Sequence, residues 1–237
     1  MRKSHASAVS AIRSTGQPFV VRECLREDCR LRLPVLEGES RGERCPRCGG
    51  PTRIAARGRQ TGEQPIGWTE AQPHRMLVLV DNVRSTFNVG SILRIADGVG
   101  VERAIFCGIT PTPGNPGVAK TALGAEDNVR WQYYANALEA AAELRTQGVY
   151  LWALENAAES ESMLGSSLAS ATGDVALVVG NELTGIDPEL IALCERVLHI
   201  PMAGCKGSLN VAVAFGIAAY WLRGSDRRSE RLGRLCA

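Results

Sequence analysis

The sequence has no apolar run near the roughly 18 residues that a membrane-spanning helix needs, so no span is expected. Its N-terminus has no apolar core of the kind a secretory signal carries, so export is not expected either. The first 22 residues contain no acidic residue but include Arg2, Lys3, Arg13, Arg22 and several serines. That composition leaves two readings open for residues 1–18, a basic tail or an organelle-targeting segment. No G-x-G-x-x-G follows a strand-like run, which removes the usual dinucleotide fingerprint. The three histidines, His5, His74 and His199, stand at no metal-ligand spacing. No internal repeat is present.

The formal net charge of +2 conceals an uneven distribution. Residues 1–75 carry 14 Lys and Arg against 8 Asp and Glu, and residues 223–237 carry 5 against 2. Residues 76–222 carry 8 against 15. An acidic body between basic flanks predicts that a polyanion such as RNA is gripped mainly by the flanks. Solubility charge on flexible ends is the alternative.

Of eight cysteines, four fall into two pairs, Cys24 with Cys29 and Cys45 with Cys48. Four residues separate the first pair, two the second, and 15 lie between the pairs. Each pair presents two thiolates from one turn, and two turns complete a tetrahedron around zinc. Gly49 and Gly50 supply the positive φ that the second turn needs. Such a metal is structural, since no ligand position stays open for water. Residues 19–56 are too few to build much core alone, so a metal would supply folding energy. Arg26, Arg30, Arg32, Arg41, Arg44, Arg47 and Arg53 suggest RNA contact for this module, with protein docking as the other reading. Thiols at metal spacing without an export signal point to a reducing, cytoplasmic setting. Cys107, Cys194 and Cys205 read as small core or loop residues.

Residues 57–75 are polar, with Gly, Pro and Gln, and read as a linker. Beyond them, strand-like runs at Met76–Val80, Ala104–Cys107, Trp131–Tyr134, Val149–Leu154, Val175–Val179 and Val197–Ile200 alternate with helix-like stretches. The helices expected are 88–99, Asn136–Arg145 with Asn136 as N-cap, 188–194 with Pro188 in its first turn, and Ser208–Leu222. This alternation predicts an α/β domain over 76–222 with a mostly parallel sheet, followed by a basic tail over 223–237. The stretch SLNVAVAFGIAAYWL is apolar on almost every face, which predicts burial all round, under a second subunit in a homodimer through residues 208–222 or, as the alternative, under the chain's own loops.

Three segments carry the chemistry: DNVRSTFNVGSILRIADGVG (81–100), VVGNELTGIDPEL (178–190) and HIPMAGCKGSLNVAVA (199–214). Asn88, Gly90 and Arg94 in the first resemble the first motif of the SpoU/TrmH branch of SPOUT methyltransferases. Gly180, Asn181 and Glu182 with Gly185 resemble the second. Ile200, Pro201 and Met202 with Ser208, Leu209 and Asn210 resemble the third. The resemblance covers about residues 76–222. It implies a C-terminal trefoil knot, a homodimer, and S-adenosylmethionine bound in loops of the knot by Gly180, Ile200, Met202 and Leu209. It also implies Arg94, Asn88, Glu182, Ser208 and Asn210 as the polar residues of the reaction.

Those residue types suit methyl transfer to a ribose 2′-hydroxyl of transfer or ribosomal RNA. Gly180 ends a buried strand, where a missing Cβ permits close approach of the cofactor. The guanidinium of Arg94 can hold a phosphate or stabilise charge building on the ribose oxygen. Its pKa above about 12 makes it a poor base, though that role stays open. Asn88 and Ser208 are also candidate helix caps, and Glu182 either holds loops together or orients Arg94. Lys120, Arg130 and Lys206 are expected in loops that touch phosphates. Methylation of an RNA base, or RNA binding without catalysis, are the competing readings.

Overall fold

The computed structural model describes residues 18–58, 74–164 and 173–235, the last with backbone alone over 225–235. The expected basic tail, apart from Pro18, and linker positions 59–73 lie outside the described residues. The chain divides into two compact units, residues 1–69 and 70–237.

The first unit is a three-stranded antiparallel sheet of β1 (Phe19–Cys24), β2 (Arg32–Leu36) and β3 (Thr52–Arg57), with β1 in the centre. Its buried apolar side chains are Val20, Cys24, Val35 and Cys45. So small a core offers little to offset the chain entropy of 40 residues. Glu23 is buried within the module and takes Arg30 at 3.1 Å, Arg32 at 3.3 Å and Arg53 at 3.5 Å. The Arg30 hydrogen bond, against the pull of burial, holds its carboxyl below the ordinary range.

The second unit follows the alternation read from the sequence. In chain order it runs β4 (Met76–Asp81), α1 (Thr86–Val99), β5 (Arg103–Cys107), α2 (Pro116–Ala122), β6 (Arg130–Tyr134) and α3 (Ala137–Thr146). It continues with β7 (Tyr150–Leu154), β8 (Glu161–Ser162), β9 (Val175–Val179), α4 (Pro188–Ala192), β10 (Arg196–His199) and α5 (Val211–Leu235). The seven strands lie in the order β6-β5-β4-β9-β7-β10-β8, and every neighbouring pair is parallel. β4 and β9 are central and buried at every residue, which is why they read as unbroken apolar runs.

Alternate side chains feed two cores. Val78, Val80, Leu177 and Val179 meet Ile92 and Leu93 of α1 and Phe215 of α5. Leu77, Leu79, Ala176 and Val178 meet Ala140, Ala141 and Leu144 of α3 and Leu190 of α4. At about 25 cal/mol per Å² of apolar area removed from water, these two layers dominate the unit's stability.

Helix boundaries differ from expectation where caps decide them. Ser85, not Asn88, caps α1, accepting the Asn88 N–H at 3.3 Å, so the helix starts two residues earlier, at Thr86. Asn136 and Pro188 sit where expected, Asn136 accepting from the Leu138 N–H at 2.9 Å. The last helix opens at Val211, because the Asn210 side chain accepts from Ala212 N–H at 3.0 Å and Val213 N–H at 3.3 Å. Ser208 is therefore no cap. The same helix continues in backbone to Leu235, across much of the stretch expected as a tail.

Arg223 is no tail residue. It is buried and donates to the carbonyls of Val99 at 3.1 Å, Gly100 at 2.7 Å and His74 at 2.9 Å. A guanidinium there satisfies the unpaired carbonyls at the end of α1 and complements its dipole. Arg75 likewise leaves the linker, pairing with Asp174 at 2.6 Å. Lys120 and Arg130 fall in α2 and β6 rather than in loops, while Lys206 does lie in one.

Over residues 211–222 α5 is apolar all round but not buried all round. Ala212, Phe215, Ala218, Ala219 and Leu222 enter the core, while Val213, Ile217 and Tyr220 stay exposed.

Candidate active site and cysteine centre

In the second unit, the carboxyl ends of β9, β7 and β10 open into a cavity of about 280 Å³. In parallel sheets these ends are where ligands bind, because the strand-to-helix loops gather there. Gly180, Glu182, Ile200, Met202, Ser208, Leu209 and Asn210 all line it. Leu154, Glu155, Asn156 and His199 line it too. Sequence reasoning missed these four, and the one signal for them was position at the ends of β7 and β10.

Gly180 is required for a different reason than expected. A Cβ there would meet the Gly185 carbonyl carbon and the Ile186 nitrogen, each at 2.4 Å. The close neighbour is the chain's own backbone five residues on, where the 181–185 turn doubles back on the end of β9. Gly185 itself stands at φ +74° and pairs with Asn181 through two backbone hydrogen bonds, 2.9 and 3.0 Å. Glu155 accepts the Ile186 N–H at 3.1 Å and so fastens this turn to the end of β7. Gly90 has a similar duty, since a Cβ there would fall within 1.9 Å of Thr121 Oγ1 on α2.

Three side chains join the three motif segments. Asn88 is buried; its Nδ2 donates to Glu182 Oε1 at 2.9 Å, and its Oδ1 accepts from Asn210 Nδ2 at 2.9 Å. Glu182 also accepts from the backbone N–H groups of Arg84 and Ser85, each at 3.0 Å. Burial acts to raise the Glu182 pKa, but the hydrogen bonds from Arg84, Asn88 and Ser85 outweigh it and hold the carboxyl below its ordinary range. Glu182 thus fastens loops and does not contact Arg94.

Arg94 stands six residues beyond Asn88, on the exposed face of α1. It does not line the cavity, and among the described residues it forms no hydrogen bond or ion pair. The structure therefore gathers the expected site residues of this unit around one opening, apart from Asn88, which is buried behind it and bonded to two lining residues, and Arg94, which stands away from it.

Next to the opening, Asp81 is buried at the end of β4 and accepts from Asn82 Nδ2 at 2.7 Å and Asp187 N–H at 3.2 Å. Burial raises its pKa. Burial, with the Asp81 charge beside it, pushes the Cys107 thiol up to about 12, so Cys107 is an inert core residue.

In the first unit the sulfurs of Cys24, Cys29, Cys45 and Cys48 all lie within 4.8 Å of one another. Cys24 and Cys48 are 3.5 Å apart, Cys29 and Cys45 3.7 Å. A tetrahedron with metal–sulfur bonds of about 2.3 Å has edges of about 3.8 Å, so this donor set fits zinc. The residue after each second cysteine takes positive φ, Arg30 at 46° and Gly49 at 70°. None of the seven described cysteines forms a disulfide.

Comparison with known proteins gives a consistent result. Residues 75–220 match the model of the SpoU rRNA Methylase family. The chain is 35% identical over 155 residues to the 23S rRNA (guanosine-2′-O-)-methyltransferase RlmB of Xanthomonas axonopodis pv. citri, covering 65% of this chain and 61% of that protein. It is 32% identical over 152 residues to the 23S rRNA (guanosine(2553)-2′-O)-methyltransferase RlmP of Bacillus subtilis, covering 63% and 58%. The chain thus spans about three fifths of the length of the curated relatives it matches. Among solved structures, the AdoMet-bound rRNA methyltransferase of Sinorhizobium meliloti superposes with TM-score 0.59 at 29% identity, covering 63% of this chain and 56% of that one. The TrmH/SpoU tRNA modifying enzyme of A. aeolicus gives 0.59 at 27% identity, covering 67% and 79%.

Proposed function

This chain belongs to the SpoU rRNA Methylase family, and from that premise we propose that it transfers a methyl group from S-adenosylmethionine to a ribose 2′-hydroxyl of ribosomal or transfer RNA. One observation carries the reading. Asn88, Glu182 and Asn210, from three distant segments, form one hydrogen-bonded chain, and the last two of them line the cavity. When bound, the cofactor supplies an electrophilic methyl on a sulfonium. Gly180, Ile200, Met202 and Leu209 form its apolar and backbone contacts. Asn88 and Glu182 hold the first turn of α1 against the 181–185 turn. Ser208 and Asn210 present polar atoms at the opening, and Arg94 positions a phosphate or stabilises the ribose oxygen. The trefoil knot belongs to this reading, supported by the match of residues 75–220 to the family.

The four-cysteine module holds structural zinc on this reading, supported by its sulfur spacing and thin core. Its arginines are less free to grip RNA than the composition suggests. Residues 18–58 carry nine arginines against six acidic residues, and Arg30, Arg32 and Arg53 converge on Glu23. A tetrathiolate zinc adds a further two negative charges.

The protein acts as a homodimer in the cytoplasm on the same reading. Val213, Ile217 and Tyr220 on α5 are exposed, as is Phe87 on α1, and apolar surface of this kind marks interfaces. Arg94 is seven residues from Phe87, on the same face of α1. Among the described residues no helix is long and apolar enough to cross a membrane.

The test uses RNA labelled through the methyl group. A ribose-methylated nucleotide resists alkali, because its 2′-oxygen can no longer attack the neighbouring phosphate. Label released in a dinucleotide is expected. Label released in single nucleotides would indicate base methylation and overturn the ribose assignment.

A further inference from the structure

The methyltransferase unit must bind a polyanion with an acidic body, 8 Lys and Arg against 15 Asp and Glu over residues 76–222. Net charge therefore supplies little attraction, and contacts indifferent to charge have to supply the rest. The edge strand β6 carries such contacts. It pairs on one side only, with β5. Trp131 and Tyr133 are two apart and share one face, opposite Ala104 and Phe106 of β5, and are 42% and 50% exposed.

Both rings are fixed. Trp131 leans on Phe106 with ring centroids 6.3 Å apart at 55°. Tyr133 donates its hydroxyl to the Gly108 carbonyl at 2.9 Å, and the next residue, Ile109, is 66% exposed. The opposite face of β6 is occupied otherwise. Tyr134 donates to Glu143 of α3 at 2.8 Å, and Gln132 accepts from Arg103 at 2.9 Å. Arg130 shares that opposite face with Gln132 and Tyr134. Lys120, in the last turn of α2, which packs on the Phe106 side of the sheet, is exposed and forms no hydrogen bond or ion pair among the described residues.

We propose that Trp131 and Tyr133 form a stacking platform for unpaired bases of the RNA strand that carries the target ribose, with Lys120 meeting its phosphates. The inference rests on the reading of the chain as an RNA methyltransferase. Same-face residues of a strand are about 7 Å apart, roughly twice the 3.4 Å rise of stacked bases. Each ring therefore receives one base of an extended strand, not two of a duplex. Aromatic faces accept any base, which suits a surface that holds RNA without reading its sequence. Three strand spacings of about 4.8 Å separate β6 from β9, so the platform stands about 14 Å from the strand that ends at the cavity, within reach of one bound strand.

The test measures binding of the full-length protein to a single-stranded RNA oligonucleotide and to the same sequence as a duplex. Trp131→Ala and Tyr133→Ala should each weaken single-strand binding about 5- to 100-fold, while Trp131→Phe retains most of it. The slope of affinity against salt should stay unchanged in the two aromatic-to-alanine variants and shrink in Lys120→Ala, because stacking releases no counterions and phosphate contacts do. Thermal melts and cofactor binding of the variants establish that they fold. Single-strand affinity equal to the parent's in the folded Trp131→Ala, Tyr133→Ala double variant overturns the proposal. So does a fall in oligomeric mass of that variant, which would assign the face to a second copy of the chain. A parent that binds no RNA overturns the methyltransferase reading as well. A parent that binds and methylates RNA, with variants that match it, overturns the platform alone.

Discussion

The side chain of Asn88 donates to Glu182 at 2.9 Å across 94 positions of sequence, and this bond joins the start of α1 to the turn that follows β9. Asn88 is buried, so a lost partner there is not replaced by bulk water. Asn88→Ala should lower unfolding free energy by about 1–3 kcal/mol, read from denaturant midpoints. Asn88→Asp is the sharper variant. It sets a second carboxylate against Glu182, so its loss of stability should be larger at pH 7 than at pH 5. Equal losses at both values would mean that the two groups are not in contact.

Glu182 predicts the acid limb of stability. Its folded pKa lies below the ordinary 4.5, so the stabilisation it provides is present above that value. It is lost as pH falls through the folded pKa. Glutamine keeps one acceptor oxygen but replaces the other with a donor, facing N–H groups that already donate. Glu182→Gln should therefore cost about 1 kcal/mol at neutral pH, a modest figure because the group is exposed and screened. Below the folded pKa, parent and variant should converge in chemical denaturation.

Gly180→Ala tests the close return of the 181–185 turn. The added Cβ would lie 2.4 Å from atoms of Gly185 and Ile186, and backbone cannot move aside as a side chain can. A destabilisation of about 3 kcal/mol is expected, with a lower melting temperature even without cofactor. A variant that melts like the parent and loses cofactor affinity alone would restore the view that this glycine makes room for ligand.

Much of this was legible because β4 and β9, buried on both faces, must read as unbroken apolar runs, and because Asn136 and Pro188 carry their own helix-start chemistry. What local pattern could not reveal was contact across long separations. Nothing near Arg223 announces that it closes the end of α1, 124 positions away. At Gly180 the neighbour is only five residues on, yet no local pattern distinguishes room for a ligand from room for the chain itself. Asn210 rather than Ser208 caps α5, since both are good N-cap residues and only the path of the 200–210 loop chooses between them. Glu155 and Asn156 reached the cavity unseen because a Glu-Asn pair after a strand has no signature of its own.

The cysteine centre makes a compositional prediction. Freshly purified protein should carry about one zinc per chain after a mild chelator wash. Cys48→Ser should lose the metal and, with it, protection of residues 18–58 against proteolysis, because the apolar core there is too thin to hold the sheet. A folded, protease-resistant module without zinc would contradict the assignment.

Arg94 is the residue on which the reaction turns in the proposed function, and the structure leaves its guanidinium exposed and without a partner among the described residues. An arginine with no structural duty can be removed without disturbing the fold. Arg94→Ala should therefore melt with the parent and bind S-adenosylmethionine with parental affinity, since it lines no part of the cavity. Turnover should nonetheless fall about 100- to 1000-fold, the usual cost of losing one well-placed electrostatic donor. Arg94→Lys separates charge from geometry, because lysine keeps the charge but lacks the planar fork that grips a phosphate on two oxygens. Recovery of most activity in the lysine variant would make Arg94 a point charge near the reacting oxygen. Continued loss would make it a two-pronged phosphate clamp. An alanine variant nearly as active as the parent would remove Arg94 from the reaction, and single-turnover methyl transfer at saturating cofactor is the measurement that decides.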